Sequence, residues 1–494
     1  MTLLLGIDAG QTVTKAALFD LSGRELAVSS AGTRTVSRHP RWQERDMAEA
    51  WTQTAQAVRE CLGRAGVSGA GVAAVGLCGH NDGVHLVDAA GQPVRPAILA
   101  TDSRAYAQAA RMRAGDLGER ALELTGQVPV AYSPAPILAW LRDYEPESLE
   151  RAAHLLFCKD WLRLRLTGQV ATDPSEASAF CTDVHTQAWS APALALFGLS
   201  DLARLLPSMV DSAAVAGTVT EEAARATGLR AGTPVVTGAH DVDAAAVGIG
   251  AVATGSLSIV MGTFSINQVV AGRPVADPRW QARTFLRPGQ WLHMSTSPSS
   301  ASNLEWAVRQ FGPWDGAGAP AHEAAIAEAA GATGDVPVYL PFLYGSPYGP
   351  GIGAAFAGLR GWHTRGHLLR AVLEGVVFNH RWHTDALGER FPVRQRPARL
   401  CGGGSRSPLW SQLLADGLDV PVEVTDASEA GSRGAAVLAG VGAKVYADLD
   451  EAVAATVRVV RAHRPDPSTV EQLAGAYARY RRVADALLPV EDGS

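Results

Sequence analysis

The chain has 494 residues, 47% of them hydrophobic, and a formal net charge of −6. That length suits two or three domains with large cores, and the lack of any long basic run argues against a nucleic-acid partner. The five cysteines, Cys61, Cys78, Cys158, Cys181 and Cys401, are widely spaced with no CxxC pair, which fits free thiols in a reducing cytosol and disfavours zinc.

The opening MTLLLGIDAG carries an apolar run too short for a signal peptide or membrane span. No later apolar stretch reaches the length of about 20 residues that a spanning helix needs, so a soluble cytoplasmic protein is expected. Leu3 to Asp8 and Thr14 to Phe19 read as buried strands, and Asp20-Leu21-Ser22-Gly23 as a turn into a third strand from Glu25. A helix is predicted over about 47–62, with Trp51, Ala55, Val58 and Leu62 on one face. Val72 to Leu77 is another strand, ending at Cys78-Gly79-His80-Asn81-Asp82-Gly83. A hairpin follows, from Val84 to Val87 and from Val94 to Leu99. Residues 103–210 read as largely helical.

Near Pro234 the pattern resets. Val235 to Gly238 reads as a strand entering a glycine turn, and Val242 to Val247 as an Ala-rich helix start. Leu257 to Gly262 runs into Thr263-Phe264-Ser265, echoing residues 3–14, so two halves of related architecture are expected with a boundary near residue 245. Helices are predicted at Leu368 to Val377 and Leu409 to Leu414, and Val490 to Ser494 is expected to fray.

Four places offer chemistry. In Gly6-Ile7-Asp8-Ala9-Gly10-Gln11-Thr12-Val13-Thr14-Lys15 a carboxylate ends a strand, and backbone N–H groups, hydroxyls and a cation follow, which is what a phosphate needs. An ordinary hairpin with Asp at its turn has the same pattern. In Gly238-Ala239-His240-Asp241, either Asp241 or Asp243 is a helix-start carboxylate or a general base. Met261-Gly262-Thr263-Phe264-Ser265 is a second candidate phosphate loop or a plain turn. In Cys401-Gly402-Gly403-Gly404-Ser405-Arg406-Ser407, three glycines let a flat ring approach the backbone beside a helix N-terminus. His380 and His383 are read as structural, as are Trp306, Trp362 and Trp410; Arg479, Arg481 and Arg482 read as a solvated helix face.

Taken in order, GIDAGQTVTK, GAHD, MGTFS, CGGGSRSPLW and GSRGAAVLAG resemble the FGGY family of carbohydrate kinases, in the actin/hexokinase superfamily. RWQERDMAEAW, SPSSASNLEW, YLPFLYGS and HTRGHLLRAVLEGVVFNH resemble its L-xylulose/3-keto-L-gulonate kinase branch. The resemblance implies an α/β fold of two actin-like (ribonuclease H-like) domains with a central cleft, residues 1–245 and 246–489. It implies ATP-dependent phosphorylation of a sugar or polyol at a terminal hydroxyl, with L-xylulose or D-xylulose foremost and erythritol as the alternative. By motif, Asp241 resembles the base that accepts the hydroxyl proton, and Asp8 the Mg²⁺-linked carboxylate. Gly10, Thr12, Thr14 and Lys15 would surround the phosphates, with Gly262 and Thr263 on the other side; Gly403, Gly404 and Ser407 would line adenosine. His80, Asn81, Asp82 and Asp102 are the sugar-hydroxyl candidates. Here the chain departs from the family, which often has Gln or Met-His where His80-Asn81-Asp82 stands. Thr101-Asp102-Ser103-Arg104 resembles a WxDxR segment without its aromatic residue. No membrane partner is expected, and a homodimer is left open. A rival class, an actin-like ATP-driven switch, shares the nucleotide loops but does not need the sugar-side cluster.

Overall fold

In the computed structural model, which describes residues 2–315, 318–348 and 353–487, the strands predicted at the N-terminus form and run slightly longer than their apolar cores. Leu3–Ala9 pairs antiparallel with Val13–Asp20, which pairs antiparallel with Glu25–Gly32. On its other side Leu3–Ala9 runs parallel to Val72–Gly79. Pro234–Val236 and Val215–Thr218 extend this sheet, and Ala239–His240 pairs with the end of Val72–Gly79. The helix Met47–Ala65 is capped by Asp46, which accepts the Glu49 N–H, and stops at Gly66 in the left-handed region, φ 64°. Its apolar face, Trp51, Ala55, Val58 and Leu62, joins the core under the sheet, as the 3.6-residue spacing predicts.

Two compact units result. The first comprises the chain up to Val252, Ala271–Leu292 and Ala427–Val457; the second comprises Ala253–Val270, His293–Asp426 and the chain from Arg458. The first change of unit, after Val252, lies close to the division expected near residue 245, and the chain then changes unit four more times. The physical reason for one of them lies in Ala430–Gly442. This helix of small residues packs flat on the first sheet, so closely that a Cβ at Gly6 would overlap the Ser432 carbonyl and one at Gly76 the Ala435 carbonyl.

Between the two N-terminal strand regions, the hairpin expected at 84–99 closes through the bonds Val94 N–Leu86 O and Val84 N–Ile98 O. Its regular pairing goes elsewhere: His85–Val87 pairs with His154–Leu156, and Ala97–Ile98 with Glu44–Arg45. The stretch 103–210 is mainly short helices, as predicted.

In the second unit, Leu257–Met261 pairs antiparallel with Ser265–Ala271 and parallel with Ala398–Cys401, and Val422–Thr425 and Val459–His463 follow on that side. An antiparallel hairpin followed by a parallel partner repeats the pattern around Leu3–Ala9. The helix Arg365–Gly388 contains the predicted 368–377 segment and buries His380 and His383. His380 Nδ1 lies 2.7 Å from Asn267 Oδ1, and His383 Nδ1 lies 2.7 Å from Ser295 Oγ, so both serve the core. Trp410 is buried and donates to the Leu373 carbonyl, whereas Trp362 is 54% exposed. Arg481 departs from the expected solvated face: its guanidinium covers the Trp382 ring at 3.9 Å. The expectation for Val490 to Ser494 lies outside the described residues.

Candidate active site

Strand register brings the first unit's candidates into one row. Asp8 pairs across with Lys15 on one side and Cys78 on the other, and Cys78 pairs with Ala239. The chain segments Gly10–Thr12, His80–Asp82 and His240–Asp241 therefore leave neighbouring strands at the same end of the sheet. Asp8 is half-buried, and its carboxyl is pushed up to about 7. Burial is the main cause and the Asp241 charge adds to it, while the Lys15 charge and the Cys78 thiol pull the other way. Lys15 is anchored: its Nζ lies 2.7 Å from Glu429 Oε2. Thr12 is exposed at the hairpin turn, whereas Thr14 faces inward and is 3% exposed, since alternate strand residues face opposite sides.

Asp241 opens the helix Asp241–Gly248, with Asp243 in the same first turn. His240 stands between them, its Nε2 at 3.1 Å from Asp241 Oδ1 and its Nδ1 at 3.1 Å from Asp243 Oδ2. Burial opposes charge on this imidazole, but the two carboxylates together outweigh it and push its pKa up to about 10. The ring is thus an imidazolium that fixes both acids. One number separates the two: the Asp241 side chain is 33% exposed, that of Asp243 only 1%. Of the two, Asp241 is the one a ligand can reach.

The His240 backbone N–H donates to Ser175 Oγ at 3.0 Å, and Ser175 is held in turn by Asp173. Asp173 pairs at 2.8 Å with Lys159, whose Nζ also meets Asp160 at 2.7 Å, all three fully buried. This buried ion cluster stiffens the wall behind the site.

The loop His80-Asn81-Asp82 shares that wall. Asn81 Nδ2 donates to the Glu176 carbonyl at 3.3 Å, and its Oδ1 accepts the Asp82 N–H. Asp82 sits at φ 60°, a conformation Asp tolerates better than most residues. Its carboxylate lies 3.1 Å from Arg283 Nη2. His80 is 4% exposed with neither ring nitrogen hydrogen-bonded, and burial, then the Arg45 charge, lowers its pKa to about 4. A neutral, unpaired imidazole can give and take one hydrogen bond each, which suits a hydroxyl. His80, His85 and Cys158 bring ligand atoms within 4.8 Å of one another, a grouping that the spacing did not suggest. The Arg45 charge bears on both His80 and Cys158, so a cation there would face a like charge.

Asp102 departs from its expected role. It is wholly buried, and both its oxygens are taken: Gln43 N at 2.6 Å, Arg104 N at 2.8 Å and the Arg104 side chain at 2.9–3.1 Å. It is a framework carboxylate with no lone pair left for a sugar.

In the second unit, Gly262 and Thr263 follow the strand Leu257–Met261, and Thr263 is exposed. Their carbonyls accept the Ala301 and Ser300 N–H groups, which fixes the loop. Gly403 is exposed and Gly404 buried in a short 3₁₀ turn, and Ser407 caps the helix Pro408–Leu418 by accepting the Trp410 N–H. Sequence reasoning missed Arg283, Glu429, Ser175, Lys159 and Arg45, all distant from the site in the chain. It quoted His240 without using it, although a His directly before an Asp at a helix start was a usable signal.

Comparison with known proteins bears on the whole chain. The N-terminal domain of the FGGY family of carbohydrate kinases matches residues 3–248, and the C-terminal domain of that family matches residues 257–443. The chain is 34% identical to an L-xylulose/3-keto-L-gulonate kinase of Escherichia coli, covering 98% of this chain and 97% of that protein. It is 30% identical to an erythritol kinase of Brucella abortus, covering 99% and 97%. The crystal structure of a xylulose kinase from Rhodospirillum rubrum superposes with a TM-score of 0.88 at 31% identity, covering 99% of each chain.

Proposed function

The chain belongs to the FGGY family of carbohydrate kinases, and on that premise we propose that it phosphorylates a ketopentose such as L-xylulose or D-xylulose at a terminal hydroxyl, with Asp241 as general base. As a sugar kinase it is not the ATP-driven switch of the rival reading. The observation that carries the proposal is Asp241 itself: an accessible carboxylate on a helix start, fixed by a buried imidazolium and adjacent to Asp8.

Carbohydrate kinases of this family use ATP, generally with Mg²⁺. The residues present fit both. Asp8 offers hard oxygens beside a second carboxylate, the ligand type Mg²⁺ takes, and Gly431 leaves it room, since a Cβ there would overlap its Oδ2. Mg²⁺ would neutralise phosphate charge; Asp8 would hold it, directly or through water. Thr12, Lys15 and the Gly10 backbone suit phosphate oxygens, as do Gly262 and Thr263 in their own unit, and Gly403, Gly404 and Ser407 suit adenosine.

In the reaction, His80, Asn81 and Asp82 bind the sugar's hydroxyls and Asp241 accepts a hydrogen bond from the attacking one. Phosphoryl transfer passes through a loose transition state, so the task is mainly positioning. The sugar oxygen bonds to the γ-phosphorus, the bond to ADP breaks, and the hydroxyl proton passes to Asp241 Oδ. A polyol is the second reading, favoured by the likeness to an erythritol kinase. An ADP-coupled screen across pentuloses, hexuloses and tetritols tests both: turnover of a ketopentose supports the proposal, and turnover of none of the panel refutes it.

A further inference from the structure

Two segments singled out in the sequence, 297–306 and 363–380, meet in the interior of the second unit. Asn379 Nδ2 donates to Ser297 Oγ at 2.7 Å. His380 Nε2 lies 3.1 Å from Ser300 Oγ, and its Nδ1 lies 2.7 Å from Asn267 Oδ1 and 3.1 Å from Ser265 Oγ. Burial, with His383 nearby, pushes the pKa of this ring down to about 3, so the imidazole is neutral. One tautomer serves both sides: Nδ1–H donates to Asn267 Oδ1, and Nε2 accepts the Ser300 hydroxyl proton. The side chains of Ser265, Asn267, Ser297, Ser300, Asn379 and His380 are all 0–1% exposed. Apolar residues would fill such a space without desolvating polar groups, whereas a bonded polar network fixes one arrangement.

The arrangement fixed here is that of the Gly262-Thr263 turn. Ser300 N–H donates to the Thr263 carbonyl at 3.0 Å, Ala301 N–H to the Gly262 carbonyl at 2.8 Å, and Ser302 Oγ to the Thr263 carbonyl at 3.1 Å. Ser265, two residues after Thr263, leaves the turn on its other side. Thr263 and Phe264 are exposed, so their side chains add little packing to hold the turn. His380 grips both flanks from behind, through Ser265 and Ser300.

We propose that His380 is a positioning residue for the nucleotide phosphates: through Ser265 and Ser300 it sets the Gly262-Thr263 backbone that would meet them. The inference rests on the functional reading above. A phosphate turn works through N–H groups and a hydroxyl held in place before the anion arrives, so loosening the turn weakens the grip on phosphate first. His383 supplies the comparison. It lies on the same helix and is 3% exposed, but it holds Ser295 and Tyr348 instead.

The test measures the dissociation constant of a non-hydrolysable ATP analogue with Mg²⁺ by calorimetry, and KM for ATP and for sugar separately. His380→Leu removes the bonds at similar volume, and Ser300→Ala removes the Ser300 end alone. Each should weaken the analogue and raise KM for ATP at least about threefold, within the range for one lost neutral hydrogen bond. KM for sugar should stay within about twofold. His380→Gln, whose amide oxygen still accepts from Ser300, should recover at least about half of the loss. His383→Leu should lower the unfolding temperature but leave analogue binding within about twofold of wild type. If His380→Leu does not fold, Ser300→Ala decides. Unchanged analogue binding in Ser300→Ala overturns the inference, and so does an equal loss in His383→Leu, which would mark a general loosening of the unit. Wild type that binds the analogue but phosphorylates no sugar of the panel overturns the functional reading, and the calorimetric comparison still decides this inference. Wild type that binds no analogue overturns both.

Discussion

Asp241→Asn removes the proton acceptor and changes little else in shape. General-base loss costs about 10²–10⁴-fold in rate. At 1.36 kcal/mol per tenfold that is about 2.7–5.4 kcal/mol on the barrier. Because the transition state is loose, the lower half of that range is expected. The structure adds two linked consequences. The Asp241 charge contributes to the raised pKa of Asp8, so that pKa should fall from about 7 in the variant. It also contributes to holding the His240 proton, so the imidazole should titrate below about 10. The assay is steady-state ADP release at saturating ATP and sugar, with KM for sugar recorded separately and His240 followed by NMR. The expected result is a kcat loss of at least about 10²-fold with KM changed only a few-fold. Asp243→Asn is the internal control: buried against His240, it should cost less than about tenfold in kcat. A kcat for Asp241→Asn within about threefold of wild type would refute the assignment, and a larger loss in Asp243→Asn would move the base to that residue.

Three further outcomes are expected. Gly434→Ala should destabilise the first unit by about 1–3 kcal/mol in urea unfolding, because its Cβ would overlap the Ala244 carbonyl; exposed Gly475→Ala, in open space on a helix, should stabilise by about 0.5–1 kcal/mol, and equal midpoints for the two would contradict the packing. Burial holds His380 and His383 near a pKa of about 3, far below the ordinary value of about 6.5. The unfolded chain therefore takes up protons that the fold refuses. The contribution of these two histidines to stability should be constant above about pH 6.5, fall by up to about 1.4 kcal/mol per pH unit for each histidine below it, and level off near pH 3. Amide exchange within Arg365–Gly388 reads this, and unchanged protection between pH 7 and 5 would refute it. All five cysteines are buried, and burial pushes the Cys61 and Cys158 thiols up to about 11 and about 12. Ellman's reagent at pH 8 should label the native protein slowly and the denatured protein fully; rapid native labelling of either thiol would contradict that burial.

Local pattern carried far in this chain. Alternation and turn chemistry located Leu3–Ala9, Val13–Asp20 and Val72–Gly79, and the helix at 47–65 had both its cap and its apolar face written in. These features depend on neighbours within a few residues. What stayed hidden depends on distant partners. Asp102 reads as a polar residue beside a sugar loop, but the Arg104 backbone and side chain, together with the folded position of Gln43, spend its lone pairs. The Asp82–Arg283 pair joins two segments with no shared period. Lys159 beside Asp160 lies in a helix that also carries Arg163 and Arg165, so nothing local marks it, and its meaning comes from Asp173. The later returns of the chain to the first unit were hidden for the same reason. GSRGAAVLAG reads as a helix with small residues on every side, yet nothing local says which sheet they rest on.

That return of the chain has a consequence for biosynthesis. The sheet around Gly6 and Gly76 is complete early, but its covering helix emerges roughly 200 residues after Val252. At about 5–20 residues per second, translation leaves the bare glycine face waiting for about 10–40 s. A nascent chain arrested before Ala427 should therefore engage chaperones and resist native folding, whereas one released beyond Val457 should not. Any message truncated between those points would yield a chain with a formed sheet and no lid for it, a substrate for quality control rather than a half-enzyme.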